Sequence, residues 1–343
     1  MSAGLEAALA RLWWREDRGA MAWLLWPPSL LYGVVMALRR WAFAIGWRRS
    51  GRAPVPVIVV GNLVVGGAGK TPTVIALVQA LRAAGWSPGV VSRGHGRRVA
   101  LTLAVDDAGR AADTGDEPLL IRRRTQVPVW VGRRRLEAAR ALCSAHPEVN
   151  VLVADDGLQH LALAREVQVI VFDERGIGNG LLLPAGPLRQ SLPRFVPVNS
   201  HVLYNAEQPT TRWPGALAQR RLGGAVLLQD WWQGAEASPQ ALQALRGRPL
   251  LAAAGMASPQ RFFDMLRSAG LDFEVLALPD HHDFAHAPWP AGTADVLVTE
   301  KDAVKLMPAA AGATRIWVVP LDFQLPPDFQ AAVLDNLRLN RRP

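Results

Sequence analysis

The sequence predicts an α/β fold: a P-loop-like core with a mostly parallel sheet, a smaller second α/β domain and an N-terminal membrane-associating helical segment. Three observations lead to this prediction. A β-branched run at residues 55–60 precedes a glycine-rich turn and an apolar helical stretch, which is the order of a strand–loop–helix unit in a parallel sheet. A similar succession recurs from residue 250. The first fifty residues are rich in tryptophan and arginine.

The length of 343 residues favours two domains rather than one. We expect an N-terminal membrane-associating helical segment at residues 1–50, a P-loop core domain at 51–205 and a second α/β domain at 206–343. The single cysteine, Cys143, excludes an internal disulfide framework and is typical of a reducing compartment.

Lysine is rare in this basic chain. The formal charge is +9, yet only three of the 38 basic residues are lysines. Because a compact ammonium and a guanidinium are not interchangeable at a phosphate, Lys70 stands out as a phosphate ligand. The positive balance itself is expected of a protein that meets nucleic acid, an anionic membrane or an anionic substrate.

The N-terminal segment favours the membrane. Six of the thirteen tryptophans lie in it, and arginines flank the uncharged stretch Gly19–Leu38, a composition typical of the headgroup level. Pro27 and Pro28 divide the stretch into two short helices, which favours an interfacial anchor over a span. The alternative is an amphipathic helix packed on the protein's own core. Basic residues beside apolar tryptophans argue against nucleic acid, and no obligate protein partner is evident.

The glycine-rich turn predicts a nucleotide site. Glycines let backbone N–H groups converge on phosphate oxygens at the positive end of the following helix, which should end at Gly85. Lys70 would reach the β and γ phosphates of ATP, and Thr71 would offer its hydroxyl to Mg²⁺. The turn departs from the strict Walker A pattern, since Val64 stands where a glycine is expected. The candidate nucleotide-binding residues are Gly66, Gly67, Ala68, Gly69, Lys70, Thr71, Pro72 and Thr73.

Two further predicted strands end in polar residues. The strand at 149–154 runs into Asp155, Asp156 and Gln159, whose oxygens suit Mg²⁺. The strand at 167–172 precedes a glycine- and proline-rich loop with Asn179 and Arg189. Arg189 can bind phosphate or pin the loop to a carboxylate, and the sequence favours neither. Loops at the carboxyl edge of a parallel sheet converge, so the candidate substrate residues are Ser92, Arg93, Asn179 and Arg189.

The second half places two imidazoles, His281 and His282, between acidic residues. Metal sites usually need three or four spaced ligands, and none are evident in the sequence. A single histidine oriented by an aspartate is the simpler interpretation.

Taken together, the motifs resemble those of the tetraacyldisaccharide 4'-kinase family, the lipid A kinases of lipopolysaccharide assembly. The resemblance covers nearly the whole chain and is carried by seven ordered motifs. They lie at residues 66–72, 92–94, 115–118, 155–160, 178–189, 280–281 and 299–305.

The resemblance implies transfer of the γ-phosphate of ATP, with Mg²⁺, to the 4'-hydroxyl of an acylated glucosamine disaccharide 1-phosphate. This anionic glycolipid would be met at the cytoplasmic face of the inner membrane by a peripheral or monotopic enzyme. The family's general base corresponds to Asp116 and its partner to His281, with His282 as the neighbouring alternative; Lys70 completes the catalytic set.

Two departures from the family pattern are Ala68 in place of threonine and Gln190 in place of glutamate. A neutral amide is the weaker partner for Mg²⁺, so the second departure bears on metal binding. The rival interpretation is a membrane-associated variant-Walker switch ATPase without a lipid substrate. Such proteins usually carry a second lysine just before the loop, and residues 57–65 contain none.

Overall fold

The structure is a computed structural model that describes residues 9–15, 17–280, 282–310 and 312–340. The helices, in chain order, are α1 (Ala20–Leu24), α2 (Trp26–Ala44), α3 (Lys70–Ala83), α4 (Ala111–Thr114), α5 (Asp116–Thr125), α6 (Arg135–Ala145), α7 (Leu228–Trp232), α8 (Pro239–Gln243), α9 (Pro259–Ser268), α10 (Glu300–Ala303) and α11 (Pro327–Leu339). The strands are β1 (Val57–Gly61), β2 (Pro88–Ser92), β3 (Leu103–Ala104), β4 (Val129–Val131), β5 (Val151–Asp155), β6 (Val167–Asp173), β7 (Ser200–Asn205), β8 (Ala216–Leu217), β9 (Gln219–Leu222), β10 (Val226–Leu227), β11 (Leu251–Ala254), β12 (Glu274–Ala277), β13 (Asp295–Thr299), β14 (Arg315–Val319) and β15 (Leu321–Gln324).

The chain forms two compact units. The first takes the chain up to Arg93, then Arg134–Gln219, then Leu325 onwards; the second takes Gly94–Arg133 and Arg220–Gln324. Residues 94–133 therefore group with the second half of the chain. The C-terminal helix α11 returns to the first unit, where it packs on α3, β6 and β7.

The first unit is built on a parallel sheet with the strand order β2-β5-β1-β6-β7-β8. All five residues of β1 are buried, as are all five of β5. Continuous apolar strands of this kind belong in a sheet covered on both faces, and each fully buried valine or isoleucine contributes about 1.5–3 kcal/mol. Helix α3 packs on β1, β2 and β5, and helix α6 packs on β2. The α/β prediction is confirmed, and the strand–loop–helix order holds at β1 and α3.

The N-terminal segment divides at Leu25, just before Pro27 and Pro28, which occupy the first turn of α2, where the missing N–H is not needed. Only the first of the two helices is short, because α2 runs for 19 residues. Its small and polar face turns inward: Ser29 is buried and its hydroxyl donates to the carbonyl of Leu182 at 2.7 Å.

The opposite face of α2 is apolar and exposed. Residues three, four and seven positions apart share one face of a helix, and those on this face are 48–66% exposed: Leu30, Leu31, Val34, Val35 and Leu38. This is the reverse of a helix that buries its apolar stripe in the protein's own core. Among the residues that the structure describes, none of the helices has the combination of length and hydropathy needed to cross a bilayer.

The second unit carries a sheet in the order β10-β14-β13-β11-β12, parallel except for the β10–β14 pair. Helix α9 follows β11 after a short turn, so the predicted second strand–turn–helix unit is confirmed. The core includes Phe263 and Leu266 of α9 with Leu297 of β13. Helix α5 packs on α10 within this unit.

Candidate active site

The glycine-rich loop connects β1 to α3 and needs glycine at two positions. Gly66 and Gly69 have φ of +86° and +88°, a region that side chains other than glycine rarely adopt. A Cβ on Gly69 would also lie 2.2 Å from the amide nitrogen of Asn205. Asn205 ends β7, is buried, and donates from that nitrogen to the carbonyl of Ala68 at 3.2 Å. The loop is therefore held by a hydrogen bond from β7, a strand that is distant in sequence.

Lys70 is the first residue of α3 and is only 8% exposed. Its ammonium lies 3.5 Å from the carbonyl oxygen of Gly66 and 3.5 Å from the amide oxygen of Asn62, which itself donates to Gly66. The nearest carboxylate belongs to Asp156, at 3.7 Å. The ammonium is thus folded over the loop, as a phosphate-binding lysine requires.

The three residues after Lys70 play different parts. Thr73 is fully buried, and its hydroxyl donates to the carbonyl of Gly69 at 2.8 Å, so it secures the helix start. Pro72 lies in the first helical turn, where proline is tolerated. Thr71 is half-buried, and it is the hydroxyl of this segment that can offer an oxygen to a cation.

The paired carboxylates end β5, whose residue Asp155 is in register with Val60 of β1. Asp155 is 1% exposed and accepts from the hydroxyl of Ser92 at 3.0 Å. Asp156 has a φ of +46°, which costs about 1–3 kcal/mol and is often found at functional positions. This turn directs the Asp156 carboxylate toward Lys70.

Arg189 pairs with Asp156, its guanidinium nitrogen lying 3.1 Å from a carboxylate oxygen. Burial opposes the ionised form of Asp156, but the positive charges of Lys70 and Arg189 outweigh it and hold the pKa of this carboxyl below its ordinary value. The sequence left two roles open for Arg189, binding phosphate or holding its loop to a carboxylate. In the structure its guanidinium pairs with a carboxylate. Gln159 accepts from the same guanidinium at 3.4 Å and donates to the backbone of Asn62 at 3.0 Å.

Arg175 is a residue that sequence reasoning did not single out. It follows β6, donates to the buried carboxylate of Asp173 at 2.6 Å and to the carbonyl of Gly67 at 2.9 Å. Its guanidinium also lies 4.2 Å from the ring centre of Trp14, a favourable cation–π distance. The available signal was an acidic residue at the end of a buried strand followed two positions later by arginine. Asn62 and Asn205 had no comparable signal.

Two other predicted substrate residues have different surroundings. Asn179 is buried, and its amide donates to the carbonyl of Ala185 at 2.8 Å while accepting from the N–H of Leu181. Its side chain therefore supports the loop that ends in Arg189. Arg93 is exposed at the end of β2.

His160 lies in a cationic part of the first unit. Burial and the nearby guanidinium groups lower the pKa of His160 from 6.5 to about 4, so the imidazole is neutral at pH 7. In order of decreasing influence, those guanidinium groups belong to Arg135, Arg165, Arg39 and Arg93. Arg39 comes from α2 and donates to the carbonyl of Gln159 at 3.2 Å, which ties the N-terminal helix to the carboxylate loop.

The second unit holds the predicted base, Asp116, at the start of α5. The preceding Gly115 has a φ of +97°, and a Cβ there would lie 3.1 Å from Gly94 and from the carbonyl of His95. Asp116 is buried and accepts from the N–H of Glu117 at 2.9 Å. His281 lies outside the described residues. The Nδ1 atom of His282 accepts from the N–H of Phe284 at 3.1 Å.

The residues predicted to hold Mg²⁺ fit that ion by chemistry. Within the described part of the chain, no group of three or more histidine, cysteine or acidic residues could ligate a metal. Mg²⁺ needs no such cage, because it binds through one or two carboxylates and completes its shell with water and phosphate oxygens. Asp155, Asp156, Gln159 and Thr71 supply oxygens of this kind at the carboxyl edge of the first sheet.

The chain is similar to known proteins over nearly its whole length. The LpxK family model, tetraacyldisaccharide-1-P 4'-kinase, matches residues 21–338. Tetraacyldisaccharide 4'-kinase from Leptothrix cholodnii is 53% identical, over 98% of this chain and 97% of that protein. The enzyme of the same name from Methylibium petroleiphilum is 54% identical, over 96% and 93%. LpxK from Aquifex aeolicus, crystallised in complex with ATP, is 25% identical with a TM-score of 0.75, over 92% of this chain and 99% of that one. This chain therefore belongs to the tetraacyldisaccharide 4'-kinase family.

Proposed function

We propose that this protein transfers the γ-phosphoryl group of ATP to the 4'-hydroxyl of a tetraacylated glucosamine disaccharide 1-phosphate, a step of lipid A biosynthesis. The observation that carries the proposal is the Lys70 ammonium, held over a loop with two left-handed glycines and faced by Asp156. Family membership over nearly the whole chain supports the acceptor, and the ATP-bound Aquifex aeolicus relative supports the donor.

The loop provides most of what phosphoryl transfer asks of a protein, which is positioning and charge neutralisation. Backbone N–H groups of residues 66–71 and the positive end of α3 would surround the β and γ phosphates. Lys70 would place its ammonium on the same oxygens. When bound, Mg²⁺ would neutralise phosphate charge, held by Thr71, Asp155, Asp156 and Gln159.

Asp116 is the proposed general base for the acceptor hydroxyl. Asp116 would take the proton of the 4'-hydroxyl as that oxygen bonds to the γ-phosphorus. The bond from the γ-phosphorus to the bridging β-oxygen breaks, and ADP leaves with the electron pair. His281 would support Asp116. Ser92, Arg93, Asn179 and Arg189 are proposed to bind the disaccharide, with Asn179 acting by supporting its loop.

The exposed apolar face of α2 supports a peripheral or monotopic location on a membrane. Its flanking arginines suit anionic headgroups, and ATP is available on the cytoplasmic side of the inner membrane, where we place the protein. The substrate is itself an anionic glycolipid, so the same surface would bring the enzyme to its acceptor.

The test is to incubate the purified chain with γ-labelled ATP, Mg²⁺ and the disaccharide in detergent micelles, and to separate products by thin-layer chromatography. We expect label in the lipid. Asp116→Ala should abolish transfer and leave nucleotide binding nearly intact, whereas Lys70→Ala should damage both. Asp113→Ala and Arg82→Ala alter exposed charges on neighbouring helical segments and should be close to wild type.

Release of free phosphate without labelled lipid would favour the switch ATPase over the kinase. Full transfer by the Asp116→Ala variant would remove the assignment of the base while leaving the kinase activity in place.

A further inference from the structure

Lys301, on α10, is shared between two segments of the second unit. Its ammonium lies 3.3 Å from a carboxylate oxygen of Asp280 and 3.5 Å from one of Glu117. Asp280 immediately precedes His281, and Glu117 immediately follows Asp116. The lysine side chain is 21% exposed, so both contacts are partly shielded from water. A single cation thus joins the segments that carry the proposed base and its proposed partner.

We propose that Lys301 is a positioning residue for phosphoryl transfer, which fixes the Asp116 segment against the His281 segment and maintains the carboxylate form of Asp116. The proposal rests on the proposed kinase function.

The other charged residues of α10 are paired one to one. Glu300 pairs with Arg124, and Lys305 pairs with Asp302 at 3.0 Å. Lys301, by contrast, faces three acids from two other segments: Asp116 and Glu117 of α5, and Asp280. Lys301 therefore interacts with acidic groups from two segments at once.

The acidic neighbours keep the lysine charged. Burial opposes the charged form, but the carboxylates of Glu117, Asp116 and Asp280 outweigh it and raise the pKa of Lys301 well above its ordinary value. Without the ammonium, the three carboxylates would repel one another, and repulsion between like charges favours protonation. A protonated Asp116 could not accept the hydroxyl proton.

Contact with Glu117 also sets the direction of the Asp116 side chain. An Asp116 carboxylate oxygen accepts from the Glu117 N–H at 2.9 Å. A displacement of Glu117 would therefore also move the Asp116 carboxylate. A Cβ on Gly115 would lie 3.1 Å from the Cα of Gly94, so the backbone before Asp116 has little room to adjust. Lys301 therefore acts on Asp116 through both charge and geometry.

The experiment compares Lys301→Met, which removes the charge, with Lys301→Arg, which keeps it. Lys305→Met is the matched control, because it removes another paired lysine one turn along the chain. For each, kcat and KM for ATP are measured across pH with the lipid acceptor. For Lys301→Met we expect a lower kcat and an unchanged KM for ATP. We also expect the acidic limb of its pH profile of kcat/KM to lie about 1 pH unit higher than in the wild type. Lys301→Arg and Lys305→Met should keep the limb of the wild type.

A second measurement does not depend on transfer. Carbon-13 labelling of aspartate carboxyl groups, with the Asp116 signal assigned from an Asp116→Asn variant, follows its titration directly by NMR. In Lys301→Met we expect Asp116 to titrate at higher pH than in the wild type. In Lys301→Arg we expect it to titrate as in the wild type. Unchanged titration in a folded Lys301→Met protein would overturn the inference. Failure of the wild type to label lipid would instead count against the proposed function.

Discussion

Lys70 and Asp156 face each other across the glycine loop, with 3.7 Å between the ammonium nitrogen and a carboxylate oxygen. The same oxygen is 3.1 Å from the guanidinium of Arg189. One carboxylate therefore balances two cations. Phosphate oxygens would compete with Asp156 for the Lys70 ammonium, and the Asp156 carboxylate would be one of the groups that could hold Mg²⁺.

Asp156→Asn should uncouple nucleotide binding from Mg²⁺. Loss of the carboxylate leaves Lys70 and Arg189 without their negative partner, so ATP alone should bind more tightly, while the gain from added Mg²⁺ shrinks. Transfer should fall about 100-fold, the usual cost of removing one preorganised charge. Calorimetric titration with and without Mg²⁺ measures the first effect. Asp335→Asn, an exposed aspartate on α11, is the control, and equal Mg²⁺ dependence in wild type and Asp156→Asn would refute the role.

Gly69→Ala should cost more than backbone strain alone. Gly69 and Gly85 have similar positive φ values, +88° and +82°, but only at Gly69 would a new Cβ meet another atom, 2.2 Å away in Asn205. Gly85→Ala isolates the strain, about 1 kcal/mol. Gly69→Ala should lose further stability, because either the glycine loop or the end of β7 must shift to make room for the Cβ. The variant should also bind ATP weakly. Denaturant unfolding of both variants measures the difference, and equal losses would show that the clash is relieved without consequence.

The neutral His160 imidazole should make the protein less stable in mild acid. An unfolded chain takes up this proton near pH 6.5, whereas the folded pKa is about 4. Between these values the unfolded state binds more protons, so the free energy of unfolding falls as pH falls. Since the imidazole is partly exposed, we expect a loss of about 1–2 kcal/mol rather than the full linkage.

His160→Gln should flatten that dependence between pH 6.5 and 4, measured by urea unfolding at several pH values. His146→Gln, which removes a histidine near the surface, should leave the slope in place. An unaltered slope in His160→Gln would mean that other groups cause it.

The exposed face of α2 should bind anionic vesicles. Replacing Leu31, Val35 and Leu38 together with serine removes three exposed apolar side chains, each worth about 1.5–3 kcal/mol if fully buried in lipid. We therefore expect flotation with anionic liposomes to fall more than 10-fold, while ATP binding is retained. Leu339→Ser, on a side chain that is 85% exposed at the end of α11, is the control. Equal flotation of all three proteins would contradict the membrane role.

Several features of the fold followed from the sequence because they depend on neighbouring residues. The strands β1, β5, β6 and β11 and the helix α3 were predicted within a few residues, since periodicity and β-branching act locally. The left-handed glycines of the loop and the pair at Asp155 and Asp156 were visible for the same reason. The family assignment, made on seven motifs, is confirmed by the relatives.

Other features depended on segments that are distant in sequence. The prolines predicted a break before α2, but the length of α2 depends on where its small face packs, at the carbonyl of Leu182. The return of α11 to the first unit had no local signal. Asn62, Arg175 and Asn205 reach the glycine loop from three different strand ends, and only the order of strands in the sheet brings those ends together.

The sequence by itself determined which chemical groups are available: an ammonium after four loop residues, two adjacent carboxylates, and an apolar helix fringed by arginines. The tertiary structure decided which of them meet. Arg189 lies on Asp156, Arg175 on Gly67 and Lys301 between Glu117 and Asp280. Ion pairs and hydrogen bonds act over a few ångströms, so groups that are far apart along the chain can pair only where packing of the sheets brings them together. Burial of apolar surface drives that packing, and it does not depend on which charged groups are present.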